Sequence, residues 1–325
     1  MKELVIDITY ECNSNCNYCQ WSAANSKKPP HLPLDRLQVP KKTLDLLNIS
    51  RVTFSGGEPL ISKNLIPLIH YYRNHNMTIR LLSNGIDVTH ARVQHLLQNE
   101  VSEFIFSVDS FNYHLYSKNR DLPRRIFEKA IKNLRSLANI KRKGSEQKIF
   151  IGLNVVLTAP TCNWQNISQM LKAAEREKID QVKFQPVFDD GYLSKNAPEL
   201  SLSEVKPKKI REIKSQLIDL QLPSNFTNPP GFWEDLYCLL TGDQLNPAQC
   251  KVMEHSILLH EGILKFCFWC THTTYGSITE DFSKEKVERI ERNFQKNLPK
   301  CRVLPQCFCL QPLDHQWHTQ KPKKS

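Results

Sequence analysis

Three cysteines near the beginning of the chain are the residues whose type and spacing most directly indicate chemistry. Cys12, Cys16 and Cys19 follow one another at intervals of four and three residues in a polar stretch. On a tight loop, thiolates at this spacing can hold three irons of a [4Fe-4S] cube, which cysteines normally ligate fourfold. The remaining iron is then open to another ligand. A zinc knuckle, which needs a fourth Cys or His at short range, and three incidental buried thiols are the alternatives.

Two adjacent glycines form a second chemical signal. The chain has only ten glycines, against about 23 expected from an average usage of about 7%. Gly56 and Gly57 stand side by side between Ser55 and Glu58. Because adjacent glycines permit a close backbone approach and unusual φ values, this stretch predicts either a ligand-binding loop or a plain turn.

Polar side chains near the ends of two later apolar runs are further candidates. Asn84 follows the run at residues 78–82, and Ser107 and Asp109 come at the end of the run at residues 103–108. Ordinary capping of strand ends and helix starts is the alternative for Asn84 and Asp109.

These residues require a framework that brings them together. Short apolar or β-branched runs alternate with longer amphipathic helical patterns, which indicates βα units and a parallel sheet. Six strands are predicted, at residues 4–8, 51–54, 78–82, 103–108, 149–157 and 182–187. In a barrel of parallel strands the chemistry lies on the loops at the carboxyl ends of the strands, where the candidate residues fall. The predicted fold class is therefore α/β, with a partial (β/α)6 TIM-like barrel.

A change of pattern after the sixth strand predicts three segments. Residues 1–195 form the barrel, and residues 196–231 form a basic helical linker that ends at Pro229-Pro230-Gly231. Residues 232–325 form a cysteine-dense C-terminal domain with few long apolar stripes. In that domain metal is expected to substitute for a large core.

Composition excludes several classes of protein. Of the 325 residues, 40% are hydrophobic and 24% are charged, which excludes global disorder. No apolar run reaches the roughly 18 residues that span a bilayer, and Met1-Lys2-Glu3 does not begin a secretion signal, so a cytoplasmic location without a membrane partner is predicted. Because cytoplasmic thiols stay reduced, the 11 cysteines indicate metal ligation. The net charge of +11 favours acidic partners such as an acidic peptide, a nucleotide or RNA.

The cysteine loop and the glycine pair together resemble a known family. Cys12-x3-Cys16-x2-Cys19, with an aromatic residue before the third cysteine and Gly-Gly-Glu-Pro after the second predicted strand, resembles the radical S-adenosylmethionine (SAM) superfamily. The resemblance implies that the open iron binds the amino and carboxylate groups of SAM, and that an electron from the cluster cleaves SAM to a 5′-deoxyadenosyl radical. It implies that Tyr18 lies against the adenine. The SAM-binding residues it implies are Tyr18, Gly56, Gly57, Glu58, Asn84, Ser107, Asp109 and Arg120. In related enzymes an arginine near the position of Arg120 pairs with the SAM carboxylate, a role that suits a guanidinium, and Arg124 and Arg125 are alternatives.

The C-terminal cysteines resemble a SPASM domain or its shorter twitch relative. Eleven residues separate Cys250 from Gly262, and four separate Gly262 from Cys267, which indicates a β-hairpin with a cysteine on each side. The complete SPASM pattern continues Cys-x2-Cys-x5-Cys-x3-Cys with a further cysteine, whereas this chain has Cys301-x5-Cys307-x-Cys309 after a helix predicted at residues 284–296. The resemblance therefore implies one auxiliary [4Fe-4S] cluster, and a structural zinc site is the alternative. Its predicted ligands are Cys250, Cys267 and two of Cys301, Cys307 and Cys309, with Cys238 and Cys270 as further candidates.

The resemblance implies an enzyme, a radical SAM oxidoreductase or maturase that receives electrons from a donor such as ferredoxin or flavodoxin. SPASM-type relatives most often modify peptides or proteins, so a peptide or protein side chain is the first predicted substrate. The first strand begins within three residues of Met1, so no leader-binding domain is expected ahead of the barrel, and a separate leader-binding protein would supply that recognition. The alternatives are dehydrogenation of a small aminocyclitol or sugar alcohol, RNA modification, and a non-enzymatic module stapled by metal.

Overall fold

A largely parallel β-sheet with helices packed on its outer side forms the body of the protein. The computed structural model describes residues 2–19, 32–144, 148–187, 193–223, 225–242, 255–266 and 274–297. The strands in these residues are β1 (Lys2–Asp7), β2 (Ile49–Ser55), β3 (Thr78–Ser83), β4 (Glu103–Ser107), β5 (Phe150–Leu157), β6 (Gln181–Pro186), β7 (Ser256–His260), β8 (Ile263–Lys265) and β9 (Thr274–Ser277). They form one sheet in the order β6-β5-β4-β3-β2-β1-β7-β8-β9.

Ten α-helices lie in the described residues. They are α1 (Lys41–Leu46), α2 (Leu65–Asn74), α3 (His90–Gln98), α4 (Tyr113–Arg120), α5 (Arg124–Arg142), α6 (Trp164–Arg176), α7 (Leu193–Asn196), α8 (Pro207–Asp219), α9 (Pro230–Thr241) and α10 (Lys284–Asn297). Short 3-10 turns lie at Leu34–Arg36, Pro59–Ile61, Pro198–Leu200 and Leu202–Glu204. None of the described helices combines the length and the hydrophobicity that a bilayer crossing requires.

One face of the first two strands is apolar and completely buried. Leu4 and Ile6 of β1 and Val52 and Phe54 of β2 are all 0% exposed, and the two residues of each strand share a face because successive side chains alternate. Strands β1 to β6 pair in parallel with their sequence neighbours. Their carboxyl ends therefore meet along one edge of the sheet, and the loops after them are neighbours.

Side-chain caps begin several of the helices that follow these strands. Thr89 accepts a hydrogen bond from the backbone of Arg92 at the start of α3, and Asn163 accepts one from the backbone of Asn166 at the start of α6. Such caps satisfy backbone donors that the helix leaves without partners. The longest of the described helices, α5, buries one stripe of side chains and turns a basic face outwards. Its buried residues are Phe127, Ala130, Ile131, Asn133, Leu134, Leu137 and Ala138.

The predicted α/β barrel is confirmed. All six predicted strands are present, each with bounds within two residues of those observed. The sequence did not predict that β7 pairs in parallel with β1 on the side away from β2. Ser256–His260 is a short apolar run in a cysteine-dense segment, and its spatial neighbour lies about 250 residues away along the chain, so local pattern carries no signal for this pairing.

The hairpin predicted around Gly262 is present, between the antiparallel strands β7 and β8. Glu261 and Gly262 have φ values of 52° and 79°, which are typical of a two-residue hairpin turn. β7 to β9 continue the barrel sheet. The division of the chain at residues 195 and 231 stays a prediction.

Replacing Trp233 tests how α9 packs on the barrel. Trp233 is completely buried, and its ring centroid lies 5.7 Å from that of Phe184 in β6. We expect Trp233→Ala to lower the free energy of unfolding by about 3–5 kcal/mol, because it leaves a cavity in the core. The matched control is Ile218→Ala on α8, where the side chain is 53% exposed and a change within about 0.5 kcal/mol is expected. Chemical denaturation measures both, and equal effects would contradict this packing.

Candidate active site

The loop that carries the three cysteines begins where β1 ends. β1 finishes at Asp7, and the loop runs from there along the carboxyl edge of the sheet. Cys16 is buried, and Cys12 and Cys19 are half-buried. A backbone hydrogen bond from Cys19 to Cys16, 3.1 Å long, closes the last turn between these cysteines. The structure thus places all three on one loop at the edge where parallel barrels carry their chemistry.

The turn after β2 clamps this loop through its backbone. Gly57 N–H donates to the carbonyl of Thr9, and Glu58 N–H donates to the carbonyl of Glu11, both at 2.8 Å. A Cβ atom at Gly57 would lie 2.0 Å from the Glu11 oxygen, and one at Gly56 would lie 2.3 Å from the Thr9 oxygen. The glycine pair is therefore required for the contact between two loops of the protein. A contact of these glycines with SAM stays a prediction.

The side chain of Glu58 ties the ends of β2 and β3 together. It is only 1% exposed and accepts hydrogen bonds from the hydroxyl of Ser83 at 2.9 Å, the backbone of Asn84 at 2.8 Å and the backbone of Leu60 at 3.1 Å. Burial raises the pKa of Glu58 to about 7, although the hydrogen bonds from Asn84 and Leu60 act in the opposite direction. The carboxyl group thus holds the strand ends in place, and its predicted contact with the amino group of SAM stays a prediction.

Asparagines fasten the cysteine loop from two other sides. The side chain of Asn84 donates to the side-chain oxygen of Asn13 at 2.7 Å, which links the loop to the end of β3. On the α4 side, Asn17 donates from its backbone to the carbonyl of Asn119 at 2.9 Å and from its side chain to the carbonyl of Lys118 at 3.0 Å. Sequence reasoning predicted Asn84 but missed Asn13, Asn17 and Asn119. The three asparagines between the cysteines, at positions 13, 15 and 17, were the available signal.

Asp109 and Arg120 form a buried ion pair beside the loop. Asp109 is completely buried and Arg120 is 2% exposed. The guanidinium donates to the two Asp109 oxygens from Nε at 2.9 Å and from Nη2 at 3.1 Å. Tyr18 also donates to Asp109, at 3.1 Å, and burial raises the pKa of this phenol well above its usual value. The structure therefore brings three of the predicted residues into one cluster next to Cys16.

Not every candidate from the sequence lies in this cluster. Arg124 and Arg125 are exposed, and Arg124 pairs with Glu128 on its own helix. Arg120 is thus the arginine of the three that lies beside the loop. Ser107 is the last residue of β4 and is half-buried. The roles of Ser107 and Arg120 towards SAM stay predictions. Cys238, a further candidate ligand, lies on α9 and is half-buried. The other predicted metal ligands lie outside the described residues: Cys250, Cys267, Cys270, Cys301, Cys307 and Cys309.

A second polar group at the same edge was missed by sequence reasoning. Because β7 lies beside β1, His260 at its end reaches Asp7, with 3.5 Å between Nδ1 and the carboxylate oxygen. Tyr10 donates to Glu261 of the hairpin turn at 3.1 Å. The sequence contained no signal for this group, since it depends on the long-range pairing of β7 with β1.

The chemistry of the loop fits a cluster of iron and sulfide. Burial raises the pKa of the Cys12 thiol to about 11, so its thiolate requires nearby positive charge, which an iron cluster supplies. The Arg120 guanidinium lies 3.6 Å from the Cys16 sulfur and donates a hydrogen bond to it. Among the described side chains, no three of His, Cys, Asp or Glu are arranged around a single metal ion. A [4Fe-4S] cube does not require such an arrangement, because each cysteine binds a separate iron.

Fold and site together define an α/β barrel protein with a thiolate loop suited to an iron-sulfur cluster. The family model described as the radical SAM superfamily matches residues 6–182, which is more than half of the 325-residue chain. The chain therefore belongs to the radical SAM superfamily.

Individual relatives are similar over parts of the chain. A probable GTP 3′,8-cyclase of Methanocaldococcus jannaschii is 27% identical over 119 residues, which is 36% of this chain and 40% of the relative. The chain spans between 34% and 46% of the length of the first four curated relatives that it matches.

Solved structures share the fold over most of the chain. The structure of anSMEcpe with bound AdoMet has a TM-score of 0.66 and 20% identity, and the match covers 96% of this chain and 90% of that one. Streptococcus suis SuiB bound to the precursor peptide SuiA has a TM-score of 0.63 and 13% identity, and the match covers 94% of this chain and 70% of that one. At these identities the likeness shows the fold alone.

A single methyl group at Gly57 tests the clamp. We expect Gly57→Ala to destabilise the protein by about 1–3 kcal/mol, because the new Cβ would overlap the Glu11 carbonyl and separate the two loops. The same variant is expected to retain less iron after anaerobic reconstitution. Gly231→Ala is the matched control, since no atom lies within 4 Å of its added Cβ. Thermal unfolding and iron analysis are the measurements, and indistinguishable variants would show that the clamp is not required.

Proposed function

We propose that this chain is an enzyme that binds a [4Fe-4S] cluster through Cys12, Cys16 and Cys19 and binds SAM at the adjoining strand ends. The observation that carries the proposal is the position of these cysteines on one clamped loop at the carboxyl edge of the sheet. When bound, the cluster and SAM supply a 5′-deoxyadenosyl radical that takes a hydrogen atom from the substrate. An electron donor such as ferredoxin or flavodoxin, which the family chemistry requires, completes the proposal.

The protein's own residues position the cofactor and keep water away from it. The clamp at Gly57 holds the cysteine loop, and Glu58 joins the strand ends on which Ser83 and Asn84 lie. We propose that the backbone at Gly56 and Gly57 and the side chains of Tyr18, Glu58, Asn84, Ser107 and Asp109 surround SAM. Their common position along one edge of the sheet supports this assignment.

We propose a peptide or protein side chain as the substrate. The net charge of +11 favours an acidic polypeptide, and SuiB, which shares the fold, is seen with a precursor peptide. A cavity of about 780 Å³ borders the cysteine loop at Asn17 and is lined by His114, Lys118, Asp121 and Glu199 among others. The charged side chains in this lining suit the approach of a hydrophilic chain, and a separate leader-binding protein is a candidate partner.

A small-molecule substrate is the second candidate. The similarity to a probable GTP 3′,8-cyclase over 119 residues favours it, because that relative is named for a nucleotide. Incubation of the reduced enzyme with SAM and synthetic peptides encoded beside its gene, followed by mass spectrometry, separates the two candidates. A changed peptide mass supports maturation, and turnover with nucleotides or aminocyclitols alone supports the second candidate.

We further propose that the C-terminal segment is a SPASM or twitch-like domain with one auxiliary [4Fe-4S] cluster. The hairpin of β7 and β8, with Gly262 in its turn, supports this assignment, since the SPASM pattern places a hairpin between its first two cysteines. The proposed ligands are Cys250, Cys267 and two of Cys301, Cys307 and Cys309. A cytoplasmic location, where thiols stay reduced, fits a protein with 11 cysteines.

Iron counting and product analysis test both clusters in one experiment. Anaerobically reconstituted wild-type protein is expected to hold about eight irons, as two clusters of four do, and to form 5′-deoxyadenosine from SAM when reduced. The triple variant Cys12→Ala, Cys16→Ala, Cys19→Ala is expected to keep about four irons and to form none of this product.

Cys162→Ala is the matched control, because Cys162 is a buried thiol outside the loop, and it is expected to behave as the wild type. Wild-type protein with about four irons would contradict the auxiliary cluster. A triple variant that still forms 5′-deoxyadenosine would contradict the assignment of the loop.

A further inference from the structure

The guanidinium of Arg120 is already paired with a carboxylate of this chain, so its paired edge is not free to bind the carboxylate of a ligand. Arg120 is the last residue of α4, is 2% exposed, and presents the edge formed by Nε and Nη2 to Asp109 at 2.9 and 3.1 Å. This edge is one that a carboxylate usually occupies in a bidentate pair. In this protein the partner is a carboxylate of the chain itself.

The remaining amino group of Arg120 is directed at a cysteine of the loop. Nη1 lies 3.6 Å from the Cys16 sulfur, and the Ser14 hydroxyl lies 3.3 Å from the same sulfur. Both Ser14 and Cys16 are buried. Cys16 therefore lies within reach of two hydrogen-bond donors, one of which carries a positive charge.

Aromatic rings and Asp109 hold the guanidinium in this orientation. Its central carbon lies 5.5 Å from the ring centroid of Tyr116 and 6.0 Å from that of Tyr18. Asp109 is itself fixed by hydrogen bonds from Tyr18 and from the backbone of Val156, both at 3.1 Å. The ion pair thus forms an oriented dipole whose positive end faces the cysteine sulfur.

Stability alone does not account for such a pair. Taking a carboxylate and a guanidinium out of water costs several kcal/mol per ion, and the attraction between them often does no more than repay it. A charge held beside a cluster ligand has another consequence, because hydrogen bonds to the sulfurs and nearby charge set the reduction potential of an iron-sulfur cluster. The effect of such a charge on the potential is stronger in a protein interior than in water, because the dielectric constant there is lower.

We infer that Arg120 is a positioning residue for the cluster. Its Nη1 donates to the Cys16 sulfur and raises the reduction potential of the cluster, and Asp109 limits this increase. The positive charge and the N–H donor both favour the reduced cluster, which is one electron more negative than the oxidised one. Asp109 partly cancels that charge and fixes its direction. This inference rests on the proposed function, because it requires the cluster to be bound at the cysteine loop.

Redox titration of the reconstituted holoenzyme, monitored by electron paramagnetic resonance, tests the inference. The Cys250→Ala, Cys267→Ala background, which removes two proposed auxiliary ligands, isolates the signal of the loop cluster. In Arg120→Gln the ratio of reduced to oxidised cluster at a fixed potential is expected to fall about tenfold, which is ~59 mV for one electron. In Asp109→Asn the ratio is expected to rise, because Arg120 keeps its charge and loses its counter-ion.

The reduction potential is expected to fall in Arg120→Gln and to rise in Asp109→Asn, and these opposite signs distinguish the inference from a purely structural role of the ion pair. Loosening of the loop would move both variants in the same direction or move neither, and either result overturns the inference. Arg124→Gln is the matched control, because it removes an exposed arginine four residues away, and no shift is expected. The dissociation constant of SAM is measured in parallel. A more than tenfold weaker affinity in Arg120→Gln with an unchanged potential would overturn the inference in favour of a direct SAM contact.

Loss of the cluster in a variant also leads to a decision. If Arg120→Gln retains no iron, Asp109→Asn and Arg120→Lys, which keeps the charge, decide by the sign of their shifts. A higher ratio of reduced to oxidised cluster in Asp109→Asn, together with a smaller change of this ratio in Arg120→Lys than in Asp109→Asn, supports the inference. Loss of iron from both variants assigns the ion pair a structural role and overturns the inference. Wild-type protein that binds no iron would instead contradict the proposed function.

Discussion

The close backbone contact between the cysteine loop and the turn after β2 is the constraint on which the rest of the site depends. Two N–H groups of that turn reach carbonyls of the loop at 2.8 Å, which is possible only where Gly56 and Gly57 carry no side chain. This contact extends the pairing of β1 and β2 beyond the strands themselves. The start of the cysteine loop is thereby held against the parallel sheet at Thr9 and Glu11.

Two buried carboxyl groups extend this constraint to neighbouring strands. Glu58 joins the ends of β2 and β3, and Asp109 joins the end of β4 to α4 and to the backbone of Val156 in β5. A carboxyl group in a dry interior is costly unless donors surround it. Each of the two accepts at least three hydrogen bonds from the protein. The same polar residues that suit a ligand thus also hold the carboxyl edge of the sheet together.

The C-terminal segment contributes to this edge because β7 pairs with β1. That pairing places the hairpin turn at Glu261 against Tyr10, and it brings His260 to Asp7. The strand that carries the cysteine loop therefore has a partner on each side, with β2 clamping the loop and β7 supporting its base. This arrangement links the C-terminal hairpin directly to the strand that leads into the loop with the three cysteines.

The sequence by itself determined the class of the fold, the order of the six barrel strands and the loop on which the three candidate cysteines lie. These follow from local information: the period of apolar residues, the spacing of Cys12, Cys16 and Cys19, and a glycine pair in a chain with few glycines. Only the tertiary structure decided that the glycines serve a contact between loops, that Arg120 faces Asp109 and Cys16, and that β7 lies beside β1. Those facts depend on which groups meet across long sequence separations, and hydrogen-bond partners of buried polar groups are chosen by the packing of the whole chain.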